Sequence, residues 1–317
     1  MKLFGHESAS AAWNAALSGE RMHHAWLLAG KAGLGKMHFA LAAARELVGA
    51  DPAMSDHPDI MVLTYGPKDD KEDRKRADGK AFELARSIRI DQVRTMQRRL
   101  TTRPSLGERR AVIIDPADDM ERNAANALLK SLEEPPRGTV FLLVSHRPAR
   151  LLPTIRSRCR MLRFPSLGDA EIEAILVDRA PSTGADERRA AVRAAGGSPG
   201  AALAFIDQDL GPLSELMGQI VREGDPTFVL RGRLATAIGN RPDRERLRAM
   251  LDLARGTLAT ELDDCPRDRL PARIDAHQAL VRLTGEMPTY NYDPGLLVME
   301  VGTLLARAGA ASERADA

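Results

Sequence analysis

At 317 residues and 44% hydrophobic, the chain is long enough to divide into two or three domains, because single cores stop growing near roughly 250 residues. A net charge of +2, from 46 basic and 44 acidic residues, argues against a dedicated polybasic nucleic-acid binder and leaves room only for shared or indirect DNA contact. Cys159 and Cys265 lie far apart with no CxxC, which argues against a disulfide framework or a cysteine-rich zinc site; with no signal-peptide run and no apolar stretch of the roughly 18 residues that span a bilayer, a soluble cytoplasmic protein is expected.

In chain order, HAWLLAG (24–30) is a short apolar run ending in Gly, followed by the Ala-rich helical stretch KMHFALAAARELVG. Between them GKAGLGKM (30–37) follows the phosphate-loop pattern, in which backbone N–H groups cradle phosphates, a Lys reaches the β and γ phosphates, and a final Ser or Thr places a hydroxyl on magnesium. Gly30, Gly33, Gly35 and Lys36 are in place, but Met37 has no oxygen to offer a metal. His57, before Pro58, reads as a capping or turn residue rather than a ligand.

KDDKEDRKRADGK (68–80) has six basic and five acidic residues among thirteen, and predicts a mobile surface loop. The near-cancelling charges speak against a DNA-contacting loop. DQVRTMQRRL (91–100) predicts a helix with Asp91 as N-cap. RRAVIIDPADDM (109–120) predicts a buried strand, Ala111 to Ile114, ending in Asp115, the position from which a phosphate-loop NTPase holds magnesium through water. The residue that would then orient the attacking water is Pro116, which has no carboxylate. Asp118 and Asp119 read as helix N-terminal charges favoured by the macrodipole, with a relocated catalytic base as the alternative. NAANALLKSLEEPP (123–136) predicts a helix stopped by two prolines, TVFLLVS (139–145) a third strand, and RLLPTIRSRCRMLRF (150–164) carries Arg158 within Ser-Arg-Cys.

Together, HHAWLLAGKAGLGK, NAANALLKSLEEPP and LLPTIRSRC resemble the delta-prime family of bacterial DNA polymerase III clamp loaders, within the AAA+ superfamily, densely over residues 4–164. The resemblance implies an α/β P-loop AAA+ core, a parallel sheet flanked by helices (1–165), a three-helix lid (166–209) and an all-α collar (210–309). It implies a stator of a five-subunit ring that sets the sliding clamp on primed DNA in replication, with the gamma/tau motor and delta subunits as partners. It also implies that Arg158 reaches in trans into a neighbouring motor subunit's ATP site. Gly30, Gly33, Gly35, Lys36 and Asp115 would form a degenerate nucleotide site, since Met37, Pro116 and Gly200, where motor subunits carry a lid arginine, each remove a catalytic group. No cofactor is required on this reading; weak ATP binding to the loop amides and Lys36 stays open. The family's four-cysteine zinc module has no counterpart in VGADPAMSDHPDI (48–60), so no zinc is expected. An active AAA+ motor is the alternative. A DNA-binding regulator is disfavoured by 4% aromatics.

From 166 onward DAEIEAILVDRA, DERRAAVRAAG and SPGAALAFID predict three short helices, and five longer amphipathic stretches follow, ending in DPGLLVMEVGTLLARA. The tail at 310–317 is expected to be disordered.

Overall fold

The computed structural model describes residues 5–19, 22–51, 54, 56–260, 262, 265–287, 290 and 292–309, so the expectation for the tail at 310–317 lies outside the described residues. The chain divides into two compact units, 1–166 and 167–317.

In the first unit the elements run α1 (Glu7–Leu17), β1 (Ala25–Ala29), α2 (Lys36–Val48), β2 (Ile60–Leu63), α3 (Asp70–Ala77), α4 (Ile90–Leu100), β3 (Arg110–Ile114), α5 (Arg122–Glu133), β4 (Thr139–Ser145), α6 (Pro153–Arg156) and β5 (Arg160–Arg163). The five strands form one sheet in the order β2-β3-β4-β1-β5, and every pairing is parallel. Parallel neighbours need long crossovers, and these place helices on both faces. Hence the three central strands are buried at every position. One face packs Leu27, Ile114 and Leu143 against Met96 of α4, Leu128 of α5 and Ile155 of α6. The other packs Leu28, Ile113 and Leu142 against Trp13 of α1 and Phe39 and Ala40 of α2, with the Trp13 and Trp26 rings edge to face at 5.5 Å.

The sequence reading finds the three central strands and omits both edges. β5 buries only Leu162 of its four residues, and β2, though apolar throughout as Ile-Met-Val-Leu, is four residues long and alternates in burial, so neither gives the long run that marks a doubly covered strand. The segment 68–80 is corrected too: it contains the helix α3, capped by the Asp69 side chain accepting from Glu72 N at 2.9 Å. Glu72 is buried, accepting from Lys75 Nζ and Glu83 N, each at 2.7 Å. A mixed-charge run thus satisfies itself by local pairing. At α4 the N-cap is Arg89, not Asp91; Gln92 Oε1 accepts from the Arg89 N–H at 3.0 Å, which leaves Asp91 in the first turn.

The second unit is helical: α7 (Asp169–Arg179), α8 (Ala185–Ala194), α9 (Pro199–Asp207), α10 (Gly211–Glu223), α11 (Val229–Ile238), α12 (Arg244–Ala259), α13 (Leu270–Glu286) and α14 (Pro294–Gly309). The first three pack on one another, α10–α14 form a bundle around α14, and α8 and α9 join the bundle through α10 and α12. Ser198 caps α9 by accepting from Ala201 N at 3.2 Å, and Gly200 lies in that helix's first turn with no side chain to offer. Asp225, buried at the start of α11, accepts from Arg231 Nε at 2.9 Å, and the same arginine donates to Thr303 Oγ of α14 at 3.0 Å. Among the described residues no helix is long and apolar enough to cross a membrane.

Candidate functional site

The carboxyl ends of the parallel strands are where an open α/β sheet builds its sites, because loops there are splayed by strands running in register. β1 ends at Ala29, β3 at Ile114 and β4 at Ser145, and the register places Ala29 beside Ser145. Gly30 opens the loop against Phe164: an added Cβ would stand 2.3 Å from that residue's carbonyl oxygen, so the position demands Gly whatever the loop binds. Gly33 and Gly35 are left-handed, with φ of 77° at each, and Gly35 caps α2. The strand-loop-helix geometry of a phosphate loop is therefore present.

Its chemistry is altered. Lys36 is only 2% exposed, and its Nζ donates to the carbonyl of Gly30 at 2.8 Å and to that of Lys31. Burial lowers the amine to about 8, against the opposing pull of Asp115 and Asp118. Met37, where a metal-binding hydroxyl would sit, packs against the core on the α2 face. That position does not fit a magnesium ligand.

Asp115 follows β3. Burial pushes its carboxyl up to about 6; Lys36 pulls it down and Asp118 pushes it further up. Its Oδ1 has no hydrogen-bond partner, and His146 Nε2 stands 4.0 Å away. Asp118 lies in the first turn of a short helix, where a helix-terminal charge was expected, but its partners lie elsewhere. It is buried in a short 3-10 turn, Ala117–Asp119, and its two oxygens accept from His146 N at 3.0 Å and Arg147 N at 2.9 Å. It ties the turn after β3 to the turn after β4, a contact across 28 residues that no local pattern announces. Asp119 accepts from Tyr65 Oη at 2.6 Å and lies 3.4 Å from Arg147 and 3.7 Å from Arg150. Both carboxylates are thus engaged by partners within the domain.

Arg158 lies away from this loop, just past α6. Pro153 begins that short helix and Ile155 is fully buried. The chain leaves it through Arg158 N donating to Ile155 O at 3.1 Å and Cys159 N to Arg156 O at 3.3 Å. Cys159 packs against the core, and burial alone pushes its thiol up to about 12, so it anchors the turn and is not a nucleophile. The Arg158 guanidinium donates to Thr154 O at 2.9 Å and meets Glu133 Oε1, at the end of α5, at 2.6 Å. Glu133 was legible only as part of a helix-ending motif.

Among the described residues no three His, Cys, Asp or Glu side chains cluster as metal ligands. His57 has the turn role expected of it, its Nδ1 accepting from Asp59 N at 3.2 Å.

Comparison with known proteins bears on the family. A family model described as DNA polymerase III, delta subunit matches residues 5–168. The DNA polymerase III subunit delta' of Pseudomonas aeruginosa is 38% identical over 199 residues, which is 58% of this chain and 56% of that protein. The delta' subunit of Escherichia coli is 31% identical over 222 residues, 65% of this chain and 61% of its own. The gamma/tau subunit of Mycobacterium tuberculosis is 29% identical over 216 residues, 65% of this chain and 36% of its own. The chain thus spans less than two thirds of each of these relatives. A solved gamma subunit-related protein of DNA polymerase III from Thermotoga maritima superposes with a TM-score of 0.52 at 18% identity, covering 96% of this chain and all of that one. The fold is an α/β core, a five-stranded parallel sheet flanked by helices, followed by a helical unit.

Proposed function

We propose, from the premise that the chain belongs to the DNA polymerase III delta-subunit family, that it is the non-hydrolysing member of a clamp-loader ring. Its partners are the gamma/tau motor and delta subunits, and through them the sliding clamp and primed DNA. Its own loop holds phosphates weakly or not at all and needs no cofactor, zinc included. Its chemical contribution is Arg158, supplied across a subunit interface to a motor's ATP.

The observation that carries this reading is the contrast between two sites of one domain. At the loop, Lys36 is bound to the loop's own carbonyls, Met37 packs against the core and the residue directly after Asp115 is Pro116, with no carboxylate. At the end of α6, a permanently charged guanidinium stands partly exposed on a turn anchored by Ile155 and Cys159. A planar fork of donors matches phosphate oxygens, and an arginine supplied in trans needs no active site in its own subunit.

The test is reconstitution with motor and delta subunits. Arg158→Ala should assemble normally yet lower DNA-stimulated hydrolysis at the one motor site it faces. Arginine fingers are worth roughly 10³ to 10⁵ in rate at their own site, but other sites keep theirs, so bulk turnover falls partly and clamp loading falls further. Normal loading by the assembled variant would remove the trans-acting role. One feature favours an active motor instead: Asp115 Oδ1 is buried without a partner near Lys36. Steady-state ATP turnover by the purified chain alone decides between the two, and none is expected.

A further inference from the structure

An arginine that must meet a phosphate on another molecule has a long, flexible stem, and ordering it on arrival costs conformational freedom. In this chain the ordering is done in advance. Arg158 is held from two sides by two different elements: Thr154 O of α6 accepts at 2.9 Å, and Glu133 Oε1 at the end of α5 stands 2.6 Å from the other terminal nitrogen. Two contacts on separate elements fix the plane of the guanidinium, not merely its position. A guanidinium has five N–H donors, so two such contacts leave three for another acceptor. The side chain is 34% exposed and that of Glu133 49%, so the pair sits at the surface and not beneath it.

We propose that Glu133 is a positioning residue for Arg158: it sets the guanidinium in the orientation from which the remaining donors meet a phosphate of the neighbouring subunit. This rests on the trans-acting reading of Arg158. Glu133 touches neither nucleotide nor metal in this account and acts only through the arginine. The last turn of α5 and the two prolines that stop it, Pro135 and Pro136, place the carboxylate there.

The experiment is a double-mutant cycle in the fully reconstituted ring with wild-type motor and delta subunits. Glu133→Ala, Arg158→Ala and the double variant are each assayed for assembly by size-exclusion chromatography and for DNA-stimulated hydrolysis at saturating ATP. In these rings the other motor sites carry inactivating substitutions, so that only the site facing Arg158 turns over. Glu133→Ala alone is expected to assemble normally and to lower turnover about five-fold, a factor in keeping with the upper range for a partly exposed ion pair. In the Arg158→Ala background, Glu133→Ala should change nothing further. The single-variant loss should shrink as salt is raised, because the pair is solvent-exposed. Neither result follows from a merely structural role, which would lower the rate in both backgrounds at any salt. Wild-type turnover by Glu133→Ala, an equal loss in both backgrounds, or a rate above wild type would each overturn the proposal, the last by making Glu133 a restraint. If Arg158→Ala itself turns over normally, it is the trans-acting reading that falls, a result visible before the cycle is completed.

Discussion

Lys36 and Met37 are neighbours that decide what the phosphate loop does. A lysine amine held near 8 by burial is protonated at neutral pH and loses its charge within the accessible range. An incoming phosphate favours the protonated form, so above about 8 binding must recruit a proton and weakens. The Asp115 carboxyl, held near 6, is an anion above that value with no metal to screen it, so affinity should also improve as pH drops through 6. Binding of ATP without magnesium, followed by calorimetry from pH 5.5 to 9, is therefore expected to weaken steadily with rising pH. An affinity that rises with pH would show that neither group faces the ligand. Met37→Thr should restore a hydroxyl but not turnover, because Pro116 and Gly200 still lack the groups that position water and charge; a coupled ATPase assay on the variant checks this. At the other site Arg158→Lys should recover little of what Arg158→Ala loses, since an ammonium cannot present a fork.

Among the elements, β3 and the turn before it rest on a buried ion pair that the sequence reading passes over. Arg110, the first residue of β3, is 5% exposed and donates to the carbonyls of Arg99, Thr102 and Arg103 at 2.8, 3.2 and 2.8 Å. Asp59, fully buried before β2, lies 3.6 Å from that arginine and accepts from Ser105 N at 2.7 Å and Leu106 N at 2.8 Å. The two charges hold the turn between α4 and β3. Removing one leaves the other buried alone, which typically costs about 3–5 kcal/mol, so Arg110→Ala should lower the unfolding free energy by that much, read in urea denaturation as a lower midpoint at unchanged slope, without touching Arg158. Burial would raise the Asp59 carboxyl, but the Leu106 and Ser105 N–H groups and Arg110 outweigh it, and the folded pKa lies below the usual 3.8. A carboxyl depressed by folding contributes stability above its unfolded pKa and loses it as pH falls through the folded one. Asp59→Asn should therefore flatten stability against pH below about 4, read by thermal unfolding at stepped pH.

For the whole molecule, the division into a sheet unit and a helical unit separates two kinds of work. The first carries both the loop and the arginine. The second is a bundle whose buried polar network, Asp225 with Arg231 and Thr303, ties α11 to α14 through side chains distant in sequence. Elemental analysis of the purified chain should find no stoichiometric zinc, because the stretch 48–60 carries no cysteine to ligate it; one zinc per chain would overturn that.

The sequence by itself determined the elements whose cause is local. The central strands announce themselves because both faces are covered, the phosphate loop because its glycines are needed at fixed spacing, and the helices of the second unit because their periodicity and caps lie within a dozen residues. Side-chain chemistry was also readable, since Met37, Pro116 and Gly200 carry no hydroxyl, carboxylate or guanidinium wherever they sit. Tertiary structure alone decided the rest. The edge strands β2 and β5 exist because a neighbour is there to pair with them, and α3 because Asp69 and Glu72 find backbone and lysine partners. Asp118 clamps the backbone of His146 and Arg147, and Glu133 meets Arg158. The physical reason is range: propensity and capping act over one or two turns of chain, whereas a carboxylate's role is set by whichever donor the fold carries to it.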